Sequence, residues 1–194
     1  MVSEFYRPEL VEALNLLAEA SDAVAELGHQ RPVLVGGAAA ELATLGELIS
    51  GDLDIVTPWQ QEFEDALEAA GFVRSIGPGS FSRGFQHPYL DIGVEVVGST
   101  LLDGRGSYDR VFLLRLESGR AVSVICIEDL IADRMAQYNS PPNYDLQALD
   151  QAEKLYQLAF DLDKAYLDKR ITEETAGDFD LAFLEKKADA RDND

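Results

Sequence analysis

The chain has 194 residues, with 16 Lys and Arg set against 36 Asp and Glu for a formal net charge of −20. That balance excludes a broad nucleic-acid-binding surface, which needs basic residues to displace counterions from phosphates, and it argues against binding to anionic membranes. Hydrophobic residues make up 46%, too many for a disordered acidic chain, and no segment reaches the ~20 apolar residues of a membrane span; a folded cytoplasmic protein is expected.

Pro8 opens a helical pattern that runs to about Leu27, with Leu10, Val11, Leu14, Leu17, Ala18 and Val24 at spacings of three and four. Pro32 to Val35 reads as a short buried strand ending in Gly36-Gly37, and Ala38 to Leu45 as a short helix. Asp52 to Thr57 alternates acidic and apolar residues, the mark of a strand. Trp59 to Ala70 reads as a helix with Phe63, Ala66, Leu67 and Ala70 on one face. Residues 72–88 are less regular. Strands return at Tyr89–Val97, Val111–Glu117 and Ala121–Ile125, the last two joined by a hairpin turn at Glu117-Ser118-Gly119-Arg120.

From Ile127 onward the pattern is helical: one helix to about Tyr138, a break at Ser140-Pro141-Pro142-Asn143, a helix over Asp145–Leu162, and a tail past Ile171. The charged end, Lys186 to Asp194, is expected to fray. Cys126 is the single cysteine, so no disulfide framework or Cys-rich zinc site is possible. It lies among Val122, Val124, Ile125 and Ile127 and reads as a small buried hydrophobe. The fold expected is α+β, a mixed sheet flanked by helices over residues 1–126. A C-terminal helical segment, 127–194, is expected to pack on the same domain.

Two motifs carry chemistry. Asp52 and Asp54 stand at i and i+2 of a strand, so they share a face about 7 Å apart at Cα. Two carboxylates so placed suit one hard cation such as Mg²⁺, which takes one or two carboxylates together with substrate phosphates. Gly36-Gly37 joins a strand to a helix; its backbone can approach a ligand closely, and the free amides of the helix N-terminus suit phosphate. The pair is neither a Walker loop nor a dinucleotide fingerprint.

Gly36-Gly37, fourteen intervening residues, then Asp52-Leu53-Asp54 resembles the glycine turn and two-acid strand of the nucleotidyltransferase superfamily. The nearest likeness is to minimal bacterial members, including the abortive-infection toxin type. Ile127-Glu128-Asp129-Leu130 through Asp145-Leu146-Gln147-Ala148-Leu149 is similar to the helical segment that follows their sheet. The resemblance implies that Asp52, Asp54 and a third acid from a later strand hold Mg²⁺ (or Mn²⁺), and that Gly36, Gly37 and Ser50 bind an NTP. The activity implied is transfer of an NMP to a hydroxyl acceptor: a protein, a small molecule or an RNA end. The third acid is Glu95 or Asp91. Glu95 is preferred, because it sits in Val94-Glu95-Val96-Val97, where an acid is costly to bury without a partner or a metal.

The sequence also departs from the pattern. Where many relatives carry a basic or hydroxyl residue before the two acids, only Ser50 is available. Triphosphate contacts would then draw on other residues, with Arg83, Arg110 and Arg134 as candidates. His87 stands before Pro88, where it could reach the rim of the site. The departures leave a second reading open: a catalytically silent, nucleotidyltransferase-like interaction protein.

Overall fold

Leu10, Leu14, Leu17 and Val24 are all at most 1% exposed, the stripe that the three-and-four spacing predicts for the first helix, α1 (Pro8–Glu26). The structure is a computed structural model and describes residues 5–75, 84–142 and 144–191. The chain forms two compact units, Met1–Ile125 and Cys126–Asp194.

After α1, the first unit continues through β1 (Val33–Val35), α2 (Gly36–Ala43), β2 (Asp52–Val56), α3 (Gln60–Ala69), β3 (Val73–Arg74), β4 (Phe85–Gln86), β5 (Gly93–Gly98), β6 (Phe112–Arg115) and β7 (Ala121–Val124). The seven strands found among the described residues form one mixed sheet in the order β3-β4-β5-β2-β1-β7-β6. β2 runs antiparallel to β1 and parallel to β5, and β1 is parallel to β7 on its other edge. The strand of the two acids is therefore central. Leu53 and Ile55 of β2, Leu34 of β1 and Val94 of β5 are at most 1% exposed. With Phe63 and Leu67 of α3 and the α1 stripe, also at most 1% exposed, they build the core of this unit. Burying each such side chain contributes roughly 1.5–3 kcal/mol. The fold is the expected α+β arrangement with a mixed sheet.

Several boundaries differ from the sequence reading. α2 begins at Gly36 itself rather than Ala38. β5 begins at Gly93, so Asp91 lies outside the strand in an exposed bend. The irregular stretch 72–88 contains the two-residue strands β3 and β4, too short to show a period. The hairpin between β6 and β7 forms as expected, with Gly119 at φ +83° and the Leu116 N–H donating to the Arg120 carbonyl.

The second unit consists of α4 (Ile127–Tyr138), α5 (Leu146–Leu158), α6 (Lys164–Glu174) and α7 (Leu181–Arg191). The Asp145 carboxylate accepts from the Gln147 and Ala148 N–H groups and caps α5, and Asp163 caps α6 through the Tyr166 N–H. The expected helix over Asp145–Leu162 stops at Leu158, and Asp161 takes the left-handed conformation at φ +56°. The expected fraying of Lys186–Asp194 is corrected as far as Arg191: α7 buries Leu184 and Ala188, which anchor it.

Inside this unit Arg170, 1% exposed, donates from Nε to Asp129 Oδ1 at 2.7 Å and from Nη1 to Glu173 at 2.6 Å, and Nη2 pairs with Glu174. Burial alone would lower the Arg170 pKa, and hydrogen bonds to the three carboxylates more than offset it, so the value is raised. Cys126 is buried as expected, and burial pushes its thiol up to about 12, which leaves it inert as a nucleophile. No described helix is long and apolar enough to cross a membrane.

Candidate active site

β1 delivers the chain directly into Gly36, the first residue of α2, at φ +65°. A β-carbon there would run into the Asp54 carboxyl group, with Cγ 2.9 Å away. The contact follows from register, because Val35 is the strand partner of Asp54 across the β1–β2 pair. A β-carbon on Gly37 would stand 2.6 Å from Ser50 Oγ. The two glycines thus lie against the two polar side chains that the sequence assigns to the same site. α2 opens with no side-chain cap, so the amides of its first turn lack intrahelical partners.

On the other edge of β2, Asp54 pairs in register with Glu95 of β5, and Asp52 with Gly93. Registered residues of adjacent parallel strands share a face about 4.8 Å apart, so Asp52, Asp54 and Glu95 project from one side of the sheet. Asp52 is exposed; Asp54 and Glu95 are half-buried. The side chains of Asp52 and Asp54 diverge. Asp54 leans over β1 onto Gly36, whereas Asp52 leans over β5, its Oδ1 2.5 Å from where a Gly93 β-carbon would sit. Among the described residues no three His, Cys, Asp or Glu side chains converge as a ready metal site. The three acids fit a hard cation by donor type and by face, as oxygen donors on adjoining strand positions.

Ser50 closes the site from the loop before β2. Its hydroxyl donates to the Asp52 carbonyl at 3.0 Å and accepts from the Asp52 N–H at 3.4 Å. Its main chain is held by two residues that the motif reading missed. The Ser50 N–H donates to Glu41 Oε2 at 2.8 Å, and the Ser50 carbonyl accepts from Arg7 Nη2. Glu41 is 1% exposed within Ala38-Ala39-Ala40-Glu41-Leu42. An acid in an apolar run needs a partner, and that signal, used for Glu95, was equally available for Glu41.

The other candidates lie elsewhere. Arg134 is taken by Asp133 at 2.6 Å and Gln151 at 3.2 Å in the helical unit. Arg110 ends a short 3-10 turn, Tyr108–Arg110. Arg83 lies outside the described residues. His87 makes edge contacts with the rings of Phe72 and Tyr89, and His29 stacks on Trp59. A cavity of about 500 Å³ is lined by Glu95 with Glu64, Arg74 and Phe85. Of the three acids, Glu95 lines this cavity and Asp52 and Asp54 do not.

The same fold occurs in solved structures of nucleotidyltransferase-like proteins. An antigenic nucleotidyltransferase-like protein from Paracoccidioides brasiliensis is 17% identical with a TM-score of 0.52, over 92% of each chain. The antibiotic-resistance factor ANT(2'')-Ia in solution is 16% identical with a TM-score of 0.50, over 94% of this chain and 96% of that one. A crystal structure of ANT(2'')-Ia with adenylyl-2''-tobramycin is 15% identical with a TM-score of 0.50, over 85% and 98%. No family model matches the chain, and no curated protein matches by sequence.

Proposed function

We propose that this chain moves an NMP from an NTP to a hydroxyl acceptor, with residues 1–126 as the transfer core. One observation carries the reading. The glycine turn that opens α2 packs against the Asp54 carboxylate, and Asp54 is in register with Glu95. The backbone of a helix N-terminus and a face of hard oxygen donors therefore meet at the middle of the sheet. The shared fold is consistent with the reading, and one of the proteins that has it is solved in complex with adenylyl-2''-tobramycin.

In this mechanism the amides at Gly36 and Gly37 and the dipole of α2 hold the triphosphate. Ser50 borders it beside Gly37. Asp52, Asp54 and Glu95 would hold Mg²⁺ or Mn²⁺, which would offset negative charge developing at the phosphate. The Glu95 carboxylate would help take the proton of the acceptor hydroxyl or hold a second metal. The hydroxyl oxygen bonds to the α-phosphorus as the bond to the β-phosphate oxygen breaks, and pyrophosphate leaves. The acceptor is a protein hydroxyl, a small molecule or an RNA end.

The test is incubation with labelled NTPs and Mg²⁺ or Mn²⁺. The expected result is a covalent NMP adduct with the wild type and none with Asp52→Ala or Asp54→Ala; equal labelling would sink the assignment. The divergence of the Asp52 and Asp54 carboxylates gives some weight to a silent interaction protein of the same fold. Metal-dependent NTP binding in a calorimeter separates the two, since the silent protein gives no heat.

A further inference from the structure

Residues 45–51, which lead from Thr44 at the end of α2 to the acid strand, contribute no buried side chain; Ile49 is 77% exposed. Apolar packing therefore does not fix this segment, although it carries Ser50 and leads into Asp52. Polar contacts fix it instead. Arg7 donates to both oxygens of Glu41, from Nε at 3.0 Å and Nη2 at 3.2 Å. This two-pronged pairing is the strongest kind that a guanidinium makes with a carboxylate. Together Arg7 and Glu41 take both main-chain poles of Ser50, its carbonyl and its N–H. The grip passes onward through the Ser50 hydroxyl to the main chain of Asp52, and Ser50 Oγ rests on Gly37. The N-terminal segment that supplies Arg7 is itself tied to the end of α2: the Tyr6 hydroxyl donates to the Leu42 carbonyl at 2.8 Å, and the Phe5 carbonyl lies 2.8 Å from where a Gly46 β-carbon would be.

We infer that Arg7 and Glu41 are positioning residues that hold the Ser50–Asp52 segment in register with the glycine turn, so that nucleotide meets a preformed edge. The inference rests on the nucleotidyl-transfer reading. A loosened segment must be ordered when nucleotide binds, and the cost appears in affinity for the Mg²⁺ complex of the NTP. Lys at position 7 would keep a charge for the buried carboxylate but lose the fork that spans Glu41 and Ser50.

The experiment compares wild type, Arg7→Ala, Arg7→Lys and, as a control of similar chemistry, Arg120→Ala. Arg120 forms an ion pair with Glu19 at 2.7 Å, away from the segment. Four readouts are taken: the Kd for Mg²⁺ and a non-hydrolysable NTP analogue, KM and kcat, Tm, and amide exchange at Ser50 and Asp52. Arg7→Ala is expected to speed exchange at Ser50 and to raise Kd and KM about tenfold, equivalent to about 1.4 kcal/mol. Arg7→Lys should recover part of that loss, and Arg120→Ala should match wild type. A Kd for Arg7→Ala within about twofold of wild type overturns the inference. So does a fall in Tm with unchanged KM in the folded fraction, which would make the pair merely structural. If Arg7→Ala does not fold, Arg7→Lys decides on the same criteria. A wild type that binds no nucleotide overturns the nucleotidyl-transfer reading and this inference together, whereas a wild type that binds beside an Arg7→Ala that binds equally overturns only the inference.

Discussion

A side chain at position 36 has nowhere to go. The backbone there is left-handed, which costs an L-residue about 1–2 kcal/mol, and the space a β-carbon needs is held by the Asp54 carboxyl group. Gly36→Ala should lower Tm and weaken nucleotide binding together, because relief of the clash moves an acid. Gly37→Ala should be milder, since its backbone is not left-handed and what it meets is one side chain, Ser50, at Oγ and Cβ. Thermal unfolding and calorimetry on the two variants check the order. The divergence of Asp52 and Asp54 carries a second prediction. With no three acids preassembled among the described residues, Mg²⁺ alone should bind weakly, and far more tightly when an NTP analogue supplies phosphate oxygens. Titrating the metal with and without the analogue tests this; equal affinities would count against the arrangement. The face shared by Asp52 and Asp54 was legible in the sequence, because strand alternation has a fixed period of two, whereas the register that sets Glu95 beside Asp54 was not. The lean of each carboxylate was not, because alternation says nothing about χ1. Arg7 was invisible because its partners lie 34 and 43 residues away.

Single elements in the helical unit depend on a few charged contacts. Asp129 is fully buried, and its carboxylate is met by Arg170 and by the Tyr166 hydroxyl at 3.0 Å. Removing Arg170 with Arg170→Ala strands that charge, and a loss of about 3–5 kcal/mol is expected in denaturant unfolding. Asp145→Ala should cost about 1 kcal/mol through the lost cap of α5. The hydrogen bond from Arg170 holds the Glu173 carboxyl below its ordinary value. Its folded pKa is thus depressed, so this stabilisation is complete above the ordinary Glu value of about 4.3 and is lost as pH falls through the folded value. Glu173→Gln should therefore flatten the acid side of the Tm-versus-pH curve while changing its slope near neutrality little. Long elements with a full stripe, such as α1 and α4, were readable from spacing. Two-residue β3 and β4 were not, and the stop at Leu158 was missed because no Gly or Pro marks it: the turn relies on Asp161 in a left-handed conformation. The anchor of α7 was hidden too, since Ala188 is a small residue in a charged run.

At the scale of the whole molecule, a net charge of −20 implies self-repulsion that salt relieves. Tm should rise between ~0.01 M and ~0.3 M NaCl, as the screening length falls from about 30 Å to under 10 Å. A flat or falling Tm would show that local pairs such as Arg7–Glu41 dominate. The charge also bears on what can enter the acid face: a broad polyanion is repelled, and a metal carried with an NTP would offset part of that repulsion. The sheet order has its own bearing on how the first unit comes into being. β1 bonds the acid strand on one edge and β7 on the other, through Val33↔Ser123 and Leu34↔Val124. Chain growth at about 5–20 residues per second delivers that last neighbour on the order of ten seconds after β1 itself. During that interval the strand that presents the glycine turn has an open edge available to any other extended segment. The nascent protein is most vulnerable to mispairing at the place where the finished one sets its glycine turn against the acid strand.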